Sequence, residues 1–275
     1  MAGAREAASP TQEESEDTSL AERARSEMSQ PSMIARHALL PVLLAAILLA
    51  LYLYISAQEL DTIEQRVLNS ANIGARLYQH LWLSGVATAG IVAIAVPLGI
   101  ALTRPWARRV EPFAVNLANA GQAIPSLGVL VLLFLIFRPW GVSPFQIAIA
   151  ALIIYGILPV LRNTMVGIRQ VDPAEIEAGR GMGMTRRQVL RQIELPLAVP
   201  VILAGVRVSL ILAVGTATLA WTIGAGGLGV IIQNGISMGR INTVLLSGAV
   251  ITAVVALFID WLAGVVEDVL RPRGL

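Results

Sequence analysis

The sequence predicts an all-α integral membrane protein with about six transmembrane helices. Hydrophobic residues make up 56% of its 275 residues and only 14% are charged, a composition that is typical of membrane proteins. Long stretches carry no charge at all, and about 20 apolar residues are enough for a helix to cross the hydrocarbon of a bilayer. The alternating pattern of barrel strands is not seen, whereas a helix satisfies its own backbone hydrogen bonds in lipid.

Cysteine and lysine do not occur in the sequence. The lack of cysteine excludes disulfides, a thiol nucleophile and a cysteine metal site. The two histidines, His37 and His80, are expected near the membrane interfaces, so neither predicts a metal site. The arginines lie between apolar stretches rather than along one polar face, which fits membrane topology better than nucleic-acid binding.

The first 36 residues differ in composition from the rest of the chain. They mix acidic residues, arginines and serines and offer little to bury, so residues 1–36 are predicted to be a disordered tail. A cleavable signal peptide would have a short basic region that leads directly into an apolar core, and this segment does not fit that pattern.

Six charge-free windows follow the tail and mark the candidate spans. They cover residues 37–58, 77–103, 112–137, 139–161, 208–239 and 241–259. The first, taken as 37–57, is predicted to be an accessory helix, followed by an extracytoplasmic loop over 58–76. The fifth span is expected to begin earlier, near Pro196, and to stop within its glycine-rich middle. Arg207 and Asp260 lie inside spans, and we expect them to pair or to reach the interface.

The arginines also predict the orientation of the chain, because basic residues collect on the cytoplasmic side of a membrane protein. If the N-terminal tail is cytoplasmic, fifteen of the twenty arginines fall on that side, four fall on the other, and Arg207 lies within a span. Both termini are therefore expected in the cytoplasm.

The connection over residues 162–196 is too structured to be a mere linker. Asp172 is predicted to cap a short helix that begins with Pro173, and Glu175 is placed to complete a capping box.

A second short helix is predicted to follow at Thr185. The Thr185 side chain can cap this helix, and the Gln188 side chain can accept a hydrogen bond from the Thr185 N–H to complete a capping box. Gly181 and Gly183 lie between the two helix starts and permit a sharp turn. The expected result is a pair of short helices at an angle to each other.

Residues 177–196 resemble the EAA motif of ABC importer permeases. That motif reads E-A-A, three residues, G, nine residues and I-x-L-P, and every spacing matches. The matching residues are Glu177, Ala178, Gly179, Gly183, Ile193, Leu195 and Pro196. Gly179 stands where the motif has a second alanine, which puts only the local helix stability in doubt. The resemblance implies that this loop is the coupling helix and docks on a cytoplasmic ATPase subunit, with Arg186 and Arg187 at the contact.

An ordinary amphipathic helix at the membrane surface is the alternative for this loop. Arg186, Arg187 and Arg191 would then face lipid phosphates. The glycine and the I-x-L-P at the spacing of the motif favour the coupling interpretation.

The resemblance covers residues 78–271 and implies a five-helix type I importer core over residues 77–271. In residues 122–127, 173–200 and 221–229 its details are most like permeases for glycine betaine, carnitine and choline. The glycine-rich stretch at residues 224–229 also occurs in permeases for methionine and other small solutes, so it says little about the substrate.

Six residues are candidates for the translocation path. They are Gln122, Pro125, Ser126, Trp221, Gly226 and Gly227. Proline loosens a helix and polar side chains need partners in lipid, while a tryptophan face can hold a quaternary ammonium. Each candidate also has a structural explanation. The third-span residues could form a packing kink with internally bonded polar groups, the tryptophan could lie at the membrane interface, and the glycines could only let helices approach closely.

No catalytic residue, metal site or cofactor is predicted in this chain. The sequence contains no G-x-x-x-x-G-K-[ST] motif, so ATP is expected to be bound by a separate ATPase subunit. The resemblance implies a bacterial inner-membrane importer with a second permease subunit, which makes a homodimer or a heterodimer, and an extracytoplasmic binding protein. The expected cargo is a small quaternary-ammonium osmoprotectant. The alternatives are a permease for methionine or another small solute and, less favoured, an ATP-independent channel or carrier.

Overall fold

A computed structural model of the chain describes residues 33–270, with side chains from residue 38 onward. The described residues are helical and contain no strand. The α-helices are α1 Met33–Ser56, α2 Thr62–Leu68, α3 Ser70–Leu102, α4 Glu111–Ala123, α5 Ser126–Phe137, α6 Pro144–Arg169, α7 Pro173–Gly181, α8 Arg186–Val189, α9 Leu195–Ala217, α10 Gly229–Ser237 and α11 Leu246–Leu270. Residues 1–32 of the predicted tail lie outside the described residues.

Five of these helical segments are long and apolar enough to cross a membrane. They are Ala38–Ser56, Ser70–Leu102, Pro144–Arg169, Arg186–Ile223 and Ile241–Leu270, and the bent pair α4 and α5 makes a sixth if it is counted as one span. The predicted all-α membrane fold is therefore confirmed. The chain divides into two compact units after Ala45, and the features below belong to the unit that begins at Ala46.

The third predicted span is broken rather than continuous. The segments Glu111–Ala123 and Ser126–Trp140 meet at an angle of 98°. Ile124 leaves the helical region with φ −78° and ψ 134°, as expected for a residue before proline, and Pro125 has no N–H to continue the helix. A single helix over 112–137 was the wrong expectation, because the proline ends the helix instead of only loosening it.

The second predicted span begins earlier than its charge-free window. Helix α3 starts at Ser70, and the Asn72 N–H donates to the Asn69 side chain at 2.7 Å to cap it. The window stopped at Arg76, but an arginine near a helix end is tolerated in a membrane protein. The segment 58–76 consequently holds α2 and the first turns of α3.

Helices α3, α6 and α9 form the centre of the fold. Helix α6 packs against both α3 and α9, and these two also pack against each other. Glycines allow α6 to lie close to both neighbouring helices. A Cβ on Gly99 of α3 would lie 2.7 Å from the Thr164 Cβ, and one on Gly205 of α9 would lie 2.7 Å from the Asn163 Cβ. Glycines at such crossings allow the van der Waals contact that drives helix association in lipid.

Arg207 is paired within the fold. Its Nε donates to Asp260 Oδ1 at 2.7 Å, and its Nη1 lies 3.5 Å from Glu267 Oε2. Gly264 makes room for the guanidinium, since a Cβ there would lie 3.0 Å from Nη1. The mutual pairing of Arg207 and Asp260 is thus confirmed, and it ties α9 to α11.

A polar cluster fixes α2 against the start of the last span. Asp61 and Glu64 form a capping box at the N-terminus of α2, and Glu64 accepts a hydrogen bond from the Thr243 hydroxyl. The Arg240 guanidinium pairs with the Asp61 carboxylate. The Glu64 N–H holds the pKa of Asp61 below its usual 3.8, and the Thr243 hydroxyl holds the pKa of Glu64 below its usual 4.5.

These lowered pKa values predict an acid-labile contact. A carboxylate with a lowered native pKa stabilises the fold above its ordinary pKa, and this contribution is lost as the pH falls through the native value. We expect Arg240→Gln to lower Tm at neutral pH by at most about 4 °C, because the pair is partly exposed. The variant should also lose less Tm than the parent on acidification below the ordinary values of 4.5 and 3.8. Thermal unfolding of the detergent-purified protein across pH checks this, and identical pH profiles would contradict it.

Candidate functional site

The candidate coupling segment begins with α7. The Asp172 side chain accepts a hydrogen bond from the Ala174 N–H at 2.8 Å, so the predicted aspartate cap is present and Pro173 is the first helical residue. The predicted capping box with Glu175 does not form. A capping box requires the Asp172 side chain to accept from the Glu175 N–H, but it accepts from the Ala174 N–H, one residue earlier. The Glu175 side chain makes no return bond to the Asp172 N–H.

The turn after α7 is made by Gly183. Its φ is +83°, a backbone conformation that glycine adopts without strain. The Gly183 N–H donates to the Arg180 carbonyl at 2.9 Å and the Met184 N–H donates to the Gly179 carbonyl at 3.1 Å. These two bonds are those of a Schellman motif, which ends one helix and redirects the chain. Gly181, also expected in the turn, is instead the last residue of α7.

Helix α8 starts with the predicted cap. The Thr185 N–H donates to Gln188 Oε1 at 2.8 Å, and the Gln188 N–H donates back to Thr185 Oγ1 at 3.4 Å. A π-helical turn over Leu190–Glu194 then joins α8 to α9. Helix α8 and the fifth span therefore form one helical segment, Arg186–Ile223.

The residues of the predicted motif divide into an outer face and an inner contact. The outer face carries exposed side chains at Glu177, Ala178, Arg186 and Arg187, together with Gly183 and Pro196; Leu195 is half-buried. Gly179 is buried, and a Cβ on it would lie 2.5 Å from the Ile193 Cδ1. The glycine in place of the second alanine thus lets α7 pack closely onto Ile193, which the sequence did not reveal.

One residue of this site was not predicted from the sequence. Glu194, between Ile193 and Leu195, is only 5% exposed and forms a two-point ion pair with Arg104, which follows α3. The two residues are 90 positions apart, so no local pattern could join them.

The candidate path residues of the third span lie at the break between α4 and α5. Gln122 Nε2 donates to the Tyr155 carbonyl at 3.0 Å, as the packing alternative expects for an internally bonded polar group. Pro125 is exposed at the break, and Ser126 is the half-buried first residue of α5. A role for these three residues in the path stays a prediction.

The other path candidates lie in and after the turn Thr218–Ile223, which packs against α5. Gly226 and Gly227 have φ of +88° and +89° and rest on α3, where the Gly227 N–H donates to Gln79 Oε1 at 3.3 Å. Half-buried Trp221 covers Gly229, whose added Cβ would lie 2.7 Å from the indole Cδ1. The glycines therefore both break the helix and permit close packing, and their place in the path stays a prediction.

His80, expected near an interface, is fully buried on α3. A Cβ on Gly227 would lie 3.3 Å from the His80 Nδ1, so the imidazole lies directly beneath the glycine segment. Among residues 33–270, histidine and acidic side chains do not gather into a group that could hold a metal ion.

Comparison with known proteins identifies a family match over most of the chain. Residues 95–272 match the family described as binding-protein-dependent transport system inner membrane component. A carnitine transport permease protein of Listeria monocytogenes is 39% identical over 217 residues, which is 78% of this chain and 95% of that protein. A glycine betaine/carnitine/choline transport system permease protein of Bacillus subtilis is 40% identical over 207 residues, 74% of this chain and 92% of that protein.

Solved structures match the fold. An inward-facing methionine ABC transporter gives a TM-score of 0.64 at 25% identity, over 72% of this chain and 95% of that one. An amino acid ABC transporter crystallised with histidines gives 0.63 at 21% identity, over 77% and 99%. The second likeness shows the fold alone.

Proposed function

Because this chain belongs to the inner membrane components of binding-protein-dependent transport systems, we propose that it is the permease subunit of an ATP-driven importer for a small quaternary-ammonium osmoprotectant. One observation carries the substrate class. Permeases named for carnitine, choline and glycine betaine are 39–40% identical to this chain over three quarters of its length. Glycine betaine, carnitine and choline all carry the same bulky, permanently charged head group.

The coupling segment supports a docking role for α7 and α8. Two capped short helices meet at a fixed glycine turn, and the outer face carries Glu177, Ala178, Arg186 and Arg187. A rigid helix pair passes on a rigid-body movement that a flexible loop would absorb. The partner that fits is a cytoplasmic ATPase subunit, which binds and hydrolyses the ATP while this chain performs no chemistry.

The proposed orientation places both termini in the cytoplasm of a bacterial cell, in its inner membrane. The arginine asymmetry supports it. The coupling segment then faces the ATPase, and the cluster of Asp61, Glu64 and Arg240 faces the extracytoplasmic side, where a solute-binding protein delivers the cargo.

The path itself requires a second permease subunit. In this proposal the break at Pro125 and the glycine segment at Gly226 and Gly227 contribute to a shared path between the two subunits. Discontinuous helices supply free backbone groups that a passing solute can use. Trp221 offers an aromatic face to the ammonium group.

Reconstitution tests the proposed function. The permease is combined with its ATPase and binding protein in proteoliposomes, and uptake of labelled glycine betaine, carnitine, choline and methionine is measured. We expect accumulation of at least one quaternary ammonium compound, dependent on both ATP and the binding protein, and none of methionine. Accumulation of methionine alone would support the alternative substrate, and uptake without ATP would support a channel or carrier.

A further inference from the structure

The ion pair between Arg104 and Glu194 joins two membrane helices at one end of the bundle. Arg104 Nη1 lies 3.2 Å from Glu194 Oε1, and Arg104 Nη2 bonds Glu194 Oε2, so the guanidinium and the carboxylate meet at two points. The Glu194 side chain is 6% exposed and that of Arg104 is 30% exposed. Two-point pairing fixes the relative orientation of its partners as well as their distance.

The pair lies where the coupling segment becomes a membrane helix. Glu194 is the last residue of the π-helical turn Leu190–Glu194, and α9 begins at the next residue. Arg104 is two residues beyond the end of α3. Along the chain Glu194 lies between α8 and α9, and its pair with Arg104 connects this point to the end of α3.

The π-helical turn is an irregularity of the kind that is frequent at functional sites. The Leu195 N–H donates to the Leu190 carbonyl, five residues back, so the turn is wider than that of an α-helix. The wider turn changes the direction in which the following residues point. A regular α-helix through Leu190–Glu194 would therefore present Glu194 in a different direction.

Several arginines surround Glu194 at a cavity beside the pair. A cavity of about 430 Å³ is lined by Arg104, Arg180, Arg186, Arg187 and Glu194, with apolar residues completing the wall. Glu194 is the single carboxylate in this lining. Neutralising it leaves the partly buried Arg104 guanidinium without its partner, beside three exposed arginines that line the same cavity, which is unfavourable.

We propose that the Arg104–Glu194 pair is a positioning contact that makes α3 move together with α9 when the coupling segment is displaced. The proposal rests on the proposed function, because the displacement is the one imposed by the ATPase. Without the pair, the coupling segment still docks and the ATPase still works, but α3 no longer follows, so ATP is hydrolysed with little solute transported.

A double-mutant cycle in the reconstituted complex tests the pair. Glu194→Gln and Arg104→Gln are each expected to lower the solute transported per ATP by about tenfold, a size typical of one broken charge-assisted contact. Because both remove the same contact, the double variant should be no worse than either single one. Arg109→Gln, which neutralises an exposed arginine in the same connection, is the matched control and should behave like the parent.

A second measurement separates positioning from simple stabilisation. This chain has no cysteine, so introduced cysteines at Arg108→Cys and Gln192→Cys give its only two labelling sites, and the ATPase is used in a cysteine-free form. With the pair intact, the distance between the labels should stay the same when ATP is added, because both sides move together. In Glu194→Gln it should change. A purely structural role would alter Tm but leave this difference absent.

The outcomes distinguish the two proposals. A parent complex that accumulates no solute refutes the proposed function and with it the role of the pair. A working parent beside a Glu194→Gln variant with the same solute-to-ATP ratio overturns the positioning role alone. Losses that multiply in the double variant, or a parent label distance that changes with ATP, overturn it as well.

Discussion

Replacing Gly183 with valine is expected to abolish ATP-driven uptake while leaving the protein in the membrane. Gly183 has φ +83°, and a β-branched residue is strained there by about 1–3 kcal/mol. The strain is the whole effect, because an added Cβ finds nothing within 4 Å. Relieving it reopens the Schellman turn and redirects α8 relative to α7, so the docking face is no longer presented as one surface.

Gly181→Val is the matched control for this variant. Gly181 ends α7 with an ordinary helical backbone, and its added Cβ also finds nothing within 4 Å. Valine there is not disfavoured, because its helix propensity is no worse than that of glycine. Membrane content of both variants is measured by quantitative blotting and uptake in proteoliposomes. Normal uptake by Gly183→Val, or an equal loss in both variants, would count heavily against the coupling assignment.

Replacing Gly229 with alanine is expected to have the largest effect on stability. An added Cβ would lie 1.8 Å from the Thr218 carbonyl oxygen, a backbone atom that cannot rotate away. It would also lie 2.7 Å from Trp221 Cδ1. Overpacking of this kind costs about 1–3 kcal/mol or more, because α10 must separate from the turn Thr218–Ile223. We expect strongly reduced folded protein and a clearly lower Tm after detergent extraction.

Gly215→Ala serves as the control for that experiment. Gly215 lies in α9, its surface is exposed, and nothing stands within 4 Å of an added Cβ. Alanine should leave Tm unchanged or slightly raise it through better helix propensity. If the Gly229→Ala protein melted at the parent temperature, the close packing between α10 and the preceding turn would be refuted.

The course of the spans could be predicted from the sequence because charge in lipid is costly and leaves a clear pattern. The charge-free windows located the membrane helices within a few residues where charge marks the end, as at Arg104 and Arg240. They failed where backbone chemistry decides. Pro125 breaks a window that contains no charge, and Asn69 caps a helix that extends past Arg76.

In the coupling segment, local signals were predictable and long-range ones were not. The caps at Asp172 and Thr185 and the turn at Gly183 depend on neighbours within a few residues, so the sequence revealed them. The contact of Gly179 with Ile193 and the pair of Glu194 with Arg104 depend on how separate segments pack. No periodicity in one sequence records such contacts.

The continuity of Arg186–Ile223 across the π-helical turn has a geometric consequence. At 1.5 Å per residue, its 38 residues make a lever arm of about 57 Å. A tilt of roughly 5° about the end at Arg186 swings the far end through about 5 Å, close to the pitch of one helical turn. A modest rotation imposed at one membrane surface is thereby amplified at the other, where Trp221 and the glycines that follow it lie at the tip of the arm.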